Sequence, residues 1–355
     1  MRRPLFLLLL SAILARSSPA EPTPATALLV LSKQDHTLAI VDPVNLRVMA
    51  RVLVGEDPHE VIASEDGRTA YVSNYGFGQF HTITMIDLIE QKQIGTIDLG
   101  ALRGPHGLDF VGGKLWFTAE AAKSIGSYDP ASGKVDRIIG IGQNRTHMVH
   151  VFSDSKRIVT TNVNSATVTV LDKTEGAAGA PMGPPPGMAP PPVGAQGGPR
   201  RMPGPPGGDW NETVIRVGNG SEGFDVSPDG EEIWVANAQD GTISIINFHE
   251  KKVTETLAAN VPGANRLKFT PDGRRVLVSS GPELVVLDAS THKVVKRIAV
   301  GQGTAGILVQ PDGARAFVAC GPDNYVAVVD LQSLEVTGHI QAGTEPDGMA
   351  WAVRR

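Results

Sequence analysis

The sequence predicts an all-β fold, a single seven-bladed β-propeller of four-stranded blades, on three observations. A unit of about 42 residues recurs along most of the chain, and a period of this length indicates a repeat architecture. Each unit alternates short apolar strands with turns of the Pro-Asp-Gly kind, which favour β-hairpins. Gly and Pro are frequent, at 40 and 26 of 355 residues, as expected where many turns join short strands.

The strands of the unit follow one another in a fixed order. A first apolar strand ends at the turn, and a β-rich second strand such as Ala70-Tyr71-Val72-Ser73-Asn74 follows it. A third strand ends in Asp or Asn, whose side chains favour turns, and a fourth is rich in Val, Ile and basic residues. The turns are Glu65-Asp66-Gly67, Pro228-Asp229-Gly230, Pro271-Asp272-Gly273 and Pro311-Asp312-Gly313, with Gly112-Gly113 and Asp154-Ser155 in the same place.

The two ends of the repeat predict how the ring closes. Residues 27–54 supply three strands without a first strand, and residues 343–353 supply only a first strand. Together they make one complete blade, so we expect the N-terminal strands to pair with the C-terminal strand. Such pairing removes the free strand edges that an open array would expose.

Two segments fall outside the repeat, which itself spans residues 27–355. Residues 1–20 are typical of a signal peptide, with Arg2 and Arg3 before a short apolar run and small residues at its end. Residues 173–208 are inserted between the third and fourth strands of one blade. They are too rich in Pro and Gly to bury a core, so we expect a disordered loop. This loop is either a tolerated surface insertion or a proline-rich docking segment.

The signal peptide predicts an exported protein, either secreted or periplasmic. Its apolar run is too short to span a bilayer, and no later segment is long and apolar enough to do so. We therefore expect no membrane span in the mature chain, and we expect a monomer. A retained signal anchor is the alternative.

Charge and cysteine content exclude several classes of protein. The formal net charge is −5, so no basic surplus is available to neutralise phosphates and no nucleic-acid partner is expected. The single cysteine, Cys320, excludes an intrachain disulfide and a cysteine-rich zinc site. It lies in an apolar run that is typical of a small buried side chain.

One position of the unit collects the candidate functional residues. First strands line the central channel of a propeller, so the residues directly before them are expected to form a ring at one mouth of the channel. Three of the nine histidines occupy this position in consecutive units. The aligned residues are His59, His106, His147, Glu222, Asn265, Ala305 and Asp347.

This ring has several interpretations. The three histidines with Asp347, or with Glu222, would hold a divalent metal and leave a position open for water or substrate. The same groups would serve as general acid and base, because histidine titrates near neutral pH. They would otherwise bind a ligand or partner without a metal, or form only a polar lining.

Arg266 follows Asn265 near the same mouth. Its planar guanidinium suits an anionic ligand, although a surface position or a salt bridge between blades would explain it as well. We therefore include Arg266 with Asn265 among the candidate ligand-binding residues.

The repeat resembles that of the YVTN-type, or YncE-like, β-propellers. Tyr71-Val72-Ser73-Asn74 is similar to their Tyr-Val-Thr-Asn signature, and the Pro-Asp-Gly turn and the terminal Asp belong to the same repeat. The resemblance covers residues 27–355 apart from the insertion. It implies the propeller fold and, for most members, a secreted, periplasmic or surface-layer location, while one such scaffold hosts many activities.

One blade also resembles the repeat of the streptogramin lyases, which are seven-bladed propellers that use a histidine and a divalent metal. The likeness rests on Gly104-Pro105-His106-Gly107-Leu108 and on the two strands that follow it. It implies a metal-dependent lyase in which His106 and His147 are catalytic. The gluconolactonase propellers share the architecture and extend this alternative to a lactonase-like hydrolase.

These observations favour an exported, non-catalytic propeller that binds a partner protein or a small ligand at the mouth of its central channel. The alternative is the metal-dependent lyase or hydrolase with a histidine ring at the mouth. A third interpretation is a scaffold that presents the Pro/Gly-rich loop to other envelope proteins. Metal content separates the first two hypotheses, and deletion of the loop tests the third.

Overall fold

The computed structural model describes residues 22–174 and 209–354, and it confirms the predicted fold class. In these ranges the chain forms seven antiparallel four-stranded sheets and two short 3₁₀ turns, Gly76–Gly78 and Val163–Ser165. Consecutive first strands contact one another around a closed ring, so the sheets are the blades of a propeller. We number the strands in chain order and the blades from the one that contains His59.

Blades 1 to 6 pair their four strands in sequence order, and blade 7 places the last strand of the chain before the first three. Blade 1 consists of β4 Pro58–Ala63, β5 Thr69–Asn74, β6 Thr82–Asp87 and β7 Lys92–Asp98. Blade 2 consists of β8 Pro105–Val111, β9 Lys114–Ala119, β10 Ser124–Asp129 and β11 Lys134–Gly140. Blade 3 consists of β12 Thr146–Val151, β13 Arg157–Asn162, β14 Thr167–Lys173 and β15 Trp210–Arg216. Blade 4 consists of β16 Ser221–Val226, β17 Glu232–Asn237, β18 Thr242–Asn247 and β19 Lys252–Leu257. Blade 5 consists of β20 Ala264–Phe269, β21 Arg275–Ser280, β22 Glu283–Asp288 and β23 Val294–Ala299. Blade 6 consists of β24 Thr304–Val309, β25 Arg315–Cys320, β26 Tyr325–Asp330 and β27 Glu335–Ile340. Blade 7 consists of β28 Pro346–Val353, β1 Thr26–Ser32, β2 Thr37–Asp42 and β3 Arg47–Leu53.

Blade 7 closes the ring in the predicted way. The C-terminal strand β28 pairs antiparallel with β1, with Trp351 opposite Leu28 and Met349 opposite Val30. The remaining two strands of the blade, β2 and β3, come from the N-terminal part of the chain. Both ends of the described chain are therefore held in one sheet.

The insertion leaves and re-enters blade 3 at a single point. β14 and β15 pair along their whole length, and Lys173, the first residue of the predicted loop, still lies opposite Trp210. Beyond them the amide of Thr174 donates to the carbonyl of Asp209 at 2.8 Å. The rest of the predicted loop and the predicted signal peptide lie outside the described residues. In the part of the chain that is described, no helix has the length and apolar character needed to cross a membrane.

The core consists of seven apolar clusters, one at each interface between neighbouring blades. Side chains alternate along a strand, so each sheet offers one face to the blade before it and one to the blade after it. Trp234 of blade 4, which is fully buried, packs in this way against Phe269 of blade 5. Burial between neighbours therefore holds the ring together.

Every first strand begins with a β-bulge. Between Pro58 and Val61 of β4, two residues face only one residue of the second strand, and the same register shift occurs in all seven blades. The bulge leaves amides without a ladder partner and redirects the side chains next to it. The two bulged residues of each blade are the aligned ring residue and the residue after it.

In four blades a hydroxyl of the second strand, opposite the bulge, accepts a hydrogen bond from a backbone amide that the bulge leaves unpaired. In blade 2 the hydroxyl of Thr118 accepts from the amide of Gly107 at 2.9 Å and donates to the carbonyl of His147 in blade 3 at 2.7 Å. The contact is close, since a Cβ on Gly107 would lie 2.5 Å from that carbonyl oxygen. The equivalent hydroxyls belong to Ser73, Thr161 and Ser279.

Replacing Thr118 by Val tests this link, because the change keeps the volume and removes both hydrogen bonds. We expect the variant to lose about 1–3 kcal/mol of unfolding free energy, since buried polar groups lose their partner. Thr213→Val, on the outer strand β15, is the control and should change stability by less than about 0.5 kcal/mol. Urea unfolding followed by tryptophan fluorescence measures both. Equal midpoints for Thr118→Val and the wild type would contradict the assigned role.

Candidate functional site

The aligned residues lie at one mouth of the central channel, each at the second position of its first strand. Neighbouring members are in contact where the histidines follow one another. The ring centroids of His59 and His106 are 5.1 Å apart, and those of His106 and His147 are 3.9 Å apart. The bulge at this position brings together residues that are more than forty positions apart in the sequence.

His147 lies between two carboxylates. Its Nδ1 is 2.5 Å from Oε1 of Glu120, and its Nε2 is 2.8 Å from Oε2 of Glu222. Burial opposes the charged form, but the two carboxylates prevail and raise the pKa of His147. For Glu222, the neighbouring His147 and Arg145 outweigh burial and lower the pKa to about 2. Glu222 is therefore an anion that favours the protonated form of His147.

His106 is neutral and lacks a partner at one ring nitrogen. It is 2 % exposed, and its Nδ1 makes no hydrogen bond within the described residues. Burial, together with the charge of His147 against which its ring packs, holds the pKa of His106 well below its usual range. A neutral imidazole with an unpartnered nitrogen is suited to accept a ligand donor or to bind a metal.

His59 belongs to a separate cluster of charges on the blade 7 side. Its Nε2 lies 3.1 Å from Oδ1 of Asp57, and its Nδ1 lies 3.6 Å from Oδ2 of Asp347. Asp347 also pairs with Lys33 at 3.3 Å. Burial works against the ammonium, but the charges of Asp347 and Glu345 raise the pKa of Lys33. His59 and Asp347 are thus close to each other, while His147 pairs with Glu120 and packs against His106.

A second set of aligned residues completes the mouth, and the sequence analysis did not find it. These residues directly follow the second strands. In blades 7, 1 and 2 they are Lys33, Tyr75 and Glu120. The hydroxyl of Tyr75 donates to Oε2 of Glu120 at 2.5 Å, and its ring lies 4.8 Å from that of His59. The other members are Val163, Ala238, Gly281 and Gly321.

The residue directly before each first strand has a left-handed backbone in every blade. Four blades use glycine there, whereas the other three use Asp57, Arg145 and Glu345, for which this conformation costs roughly 1–2 kcal/mol. All three side chains join the mouth. Arg145 lies 3.1 Å from Glu222, and the other two contact His59 and Lys33. Side chains replace glycine only where they reach charged partners at the mouth. The seven residues are Asp57, Gly104, Arg145, Gly220, Gly263, Gly303 and Glu345.

An ion pair crosses the channel beneath the ring. Arg266 of blade 5 donates to Glu60 of blade 1, although these blades are not neighbours. Both side chains are about nine-tenths buried, and Nη1 of Arg266 also donates to Oδ1 of Asn265 at 2.9 Å. Burial opposes the charge of Arg266, but Glu60 and Asp347 raise its pKa. The predicted ligand-binding Arg266 thus pairs with a protein carboxylate, and we call the mouth above this ion pair the cup.

The cup is asymmetric. Blades 7 and 1 to 4 surround it with charged and aromatic groups, whereas blades 5 and 6 contribute Asn265, Ala305 and glycine turns. We call the part lined by these small and neutral residues the open half of the cup.

One group of residues has the geometry of a metal site within the described ranges. The donor atoms of His106, Glu120 and His147 all lie within 4.8 Å of one another. The unpartnered Nδ1 of His106 fits such a role. The sequence-based set contained two of these residues together with His59 and Asp347, and it lacked Glu120.

Comparison with known proteins gives a family match over part of the chain. The sequence model of the YNCE-like beta-propeller family matches residues 208–315. No curated protein matches the sequence.

Solved structures share the whole ring at low sequence identity. A functionally unknown protein from Desulfotomaculum acetoxidans aligns with a TM-score of 0.69 and 13 % identity, over 90 % of this chain and 98 % of that one. A putative 6-phosphogluconolactonase from Bacteroides uniformis gives 0.68 and 14 %, over 92 % and 99 %. Hydrazine synthase from Kuenenia stuttgartiensis gives 0.66 and 16 %, over 91 % and 99 %. At such identities the likeness shows the fold alone. The resemblance indicated by the repeat is confirmed over residues 208–315, and the chain as a whole has the fold of a seven-bladed β-propeller.

Proposed function

We propose that this chain is an exported, non-catalytic propeller that binds a small polar ligand, or a charged segment of a partner protein, in the cup at its channel mouth. The observation that carries the proposal is the ion pair between Glu60 and Arg266. Because this pair crosses the channel, it would hold a ligand at the mouth instead of letting it pass through. The export part rests on the N-terminal sequence and on the location of most YncE-like propellers.

The charges of the cup favour recognition over proton transfer. A general acid or base works best with a pKa near the working pH. The pKa of Glu222 falls to about 2, so Glu222 stays ionised, and the two carboxylates raise the pKa of His147 and favour its charged form. Fixed charges of this kind orient a ligand and select for its charge pattern.

A metal-dependent lyase or hydrolase is the second candidate, and the group formed by His106, Glu120 and His147 favours it. Two imidazoles and one carboxylate are ligands that suit zinc and similar divalent metals. Binding would require loss of the proton between Nδ1 of His147 and Glu120. A metal held there would polarise a substrate oxygen or activate water.

The open half of the cup gives the test of the binding proposal. Ala305→Leu fills this half without changing a charge, so we expect it to abolish the stabilisation that a bound ligand gives. Ala314→Leu, an exposed change at the far end of the same blade, is the matched control. A thermal-shift screen of amino acids, amines, carboxylates and sugars on the wild type supplies the ligands. Ligands that stabilise Ala305→Leu as much as the wild type would place binding outside the cup.

Metal content decides between the two candidates. Protein purified without a histidine tag is analysed by mass spectrometry, with and without prior incubation with zinc. If the second candidate is right, we expect one metal per chain, lost in His106→Ala and in Glu120→Gln but kept in His59→Ala. A triple His59/His106/His147→Ala variant, checked by circular dichroism, covers the larger set. Absence of stoichiometric metal in the wild type excludes the metal-dependent enzyme.

The paired charges of His147 and Glu222 predict a window of pH in which they stabilise the fold. His147, with its raised pKa, stabilises fully below about pH 6.5 and loses this effect as pH rises through its folded pKa. Glu222 stabilises above about pH 4.5 and loses this effect as pH falls towards 2. The shift of Glu222 alone corresponds to on the order of 3 kcal/mol.

We therefore expect His147→Gln to destabilise the protein most between about pH 4.5 and 6.5, with a smaller effect on either side. Urea unfolding across this range measures the difference from the wild type. His249→Gln, at an exposed ion pair, is the control and should have little effect at any pH. A His147→Gln effect that is constant with pH would contradict the charged pair.

A further inference from the structure

The loop after the second strand of blade 1 differs from its equivalents. It contains seven residues, 75–81, whereas the other described blades join these two strands with four residues or two. The extra length carries Phe77 at its tip, between Gly76 and Gly78. Phe77 has a left-handed backbone, with φ 50° and ψ 40°, and is 83 % exposed. Fold stability does not explain an aromatic residue that is strained and exposed at once.

This loop forms one wall of a pocket of about 570 Å³. Lys33, Gln34 and His36 of blade 7 also line it, as does His59. Because His59 is also a member of the ring, the pocket adjoins the cup. Its volume suits a small organic molecule.

Aromatic rings lead from the rim of the pocket into the cup. Phe77 lies 6.1 Å from Tyr75, and Tyr75 lies 4.8 Å from His59 and 5.0 Å from His106, measured between ring centroids. These spacings are those of interacting aromatic pairs. A planar ligand would therefore meet ring faces and edges on this side.

The charges of the pocket select for a cation. Glu56, Asp57 and Glu345 line it, against one ammonium, that of Lys33. Lys33 is already within 3.7 Å of Glu345 and 3.3 Å of Asp347. The local excess of carboxylates attracts a positive group, and exposed aromatic faces add to this attraction.

We propose that this pocket binds a small aromatic amine, with its ring against Phe77 and its ammonium group facing Asp57 and Glu345. This inference rests on the proposed function and names the ligand class of the same site. Glu345 and Asp57 hold two of the left-handed positions where other blades have glycine, which places strained backbone at the point where the ammonium binds.

Isothermal titration calorimetry tests the proposal with three probes. Tyramine carries a ring and an ammonium group, 4-hydroxyphenylacetate replaces the amine by a carboxylate, and butylamine lacks the ring. We expect tyramine to bind at least about tenfold more tightly than either of the others, since each lacks one of the two recognised groups. Equal affinities for the three probes, or no binding of tyramine, would overturn the proposal.

Variants then locate the binding. We expect Phe77→Ala and Glu345→Gly each to weaken tyramine binding by about tenfold, whereas Phe77→Trp keeps it. Glu345→Gly should fold at least as well as the wild type, because glycine relieves the left-handed backbone. Val44→Ala, a change at an exposed residue outside the pocket, is the control. If Phe77→Ala binds tyramine normally while Ala305→Leu does not, the cup binds ligand and the role of Phe77 is wrong.

Discussion

The β-bulge that opens each first strand is the constraint on which the rest of the mouth depends. It places two consecutive residues of every blade outside the ladder. The first joins the ring, and the second is either a side chain such as Glu60 or a glycine that packs against the backbone of the neighbouring blade, as Gly107 does. Hydroxyls such as that of Thr118 stabilise the bulge, because they accept a hydrogen bond from the unpaired amide and donate one to a carbonyl of the following blade. The same device that holds neighbouring blades together therefore positions the candidate site.

Repetition of this device explains how a symmetric scaffold acquires an asymmetric site. Three positions per blade face the mouth: the residue before the first strand, the bulge, and the residue after the second strand. In blades 5 and 6 they carry glycine or small and neutral side chains, whereas Asp57, Arg145 and Glu120 show what the same positions carry elsewhere. Specialisation of the mouth thus needs side-chain changes only, because the backbone is already in place.

The sequence predicted the fold and the ring because both depend on what each unit shares. Turn residues and strand order recur, so counting units was enough to predict seven blades and closure through β28 and β1. Glu60 and Glu120 were missed because their partners belong to other blades, and a repeat does not state which blades face each other. Alignment of the residue after the second strand would have found Glu120, but the pairing of Glu60 with Arg266 needs the closed ring.

That cross-channel pair sets a condition on assembly. Glu60 and Arg266 are 206 positions apart in the sequence, and they meet only when the blades between them have curved around the axis. The apolar interfaces form between neighbours, so they can develop in an arc that is still open. The ion pair between Glu60 and Arg266 cannot form in an open arc, and neither can the contact between Asp347 and His59. A molecule held in the cup therefore binds only the closed ring, and its binding free energy adds directly to the free energy of ring closure.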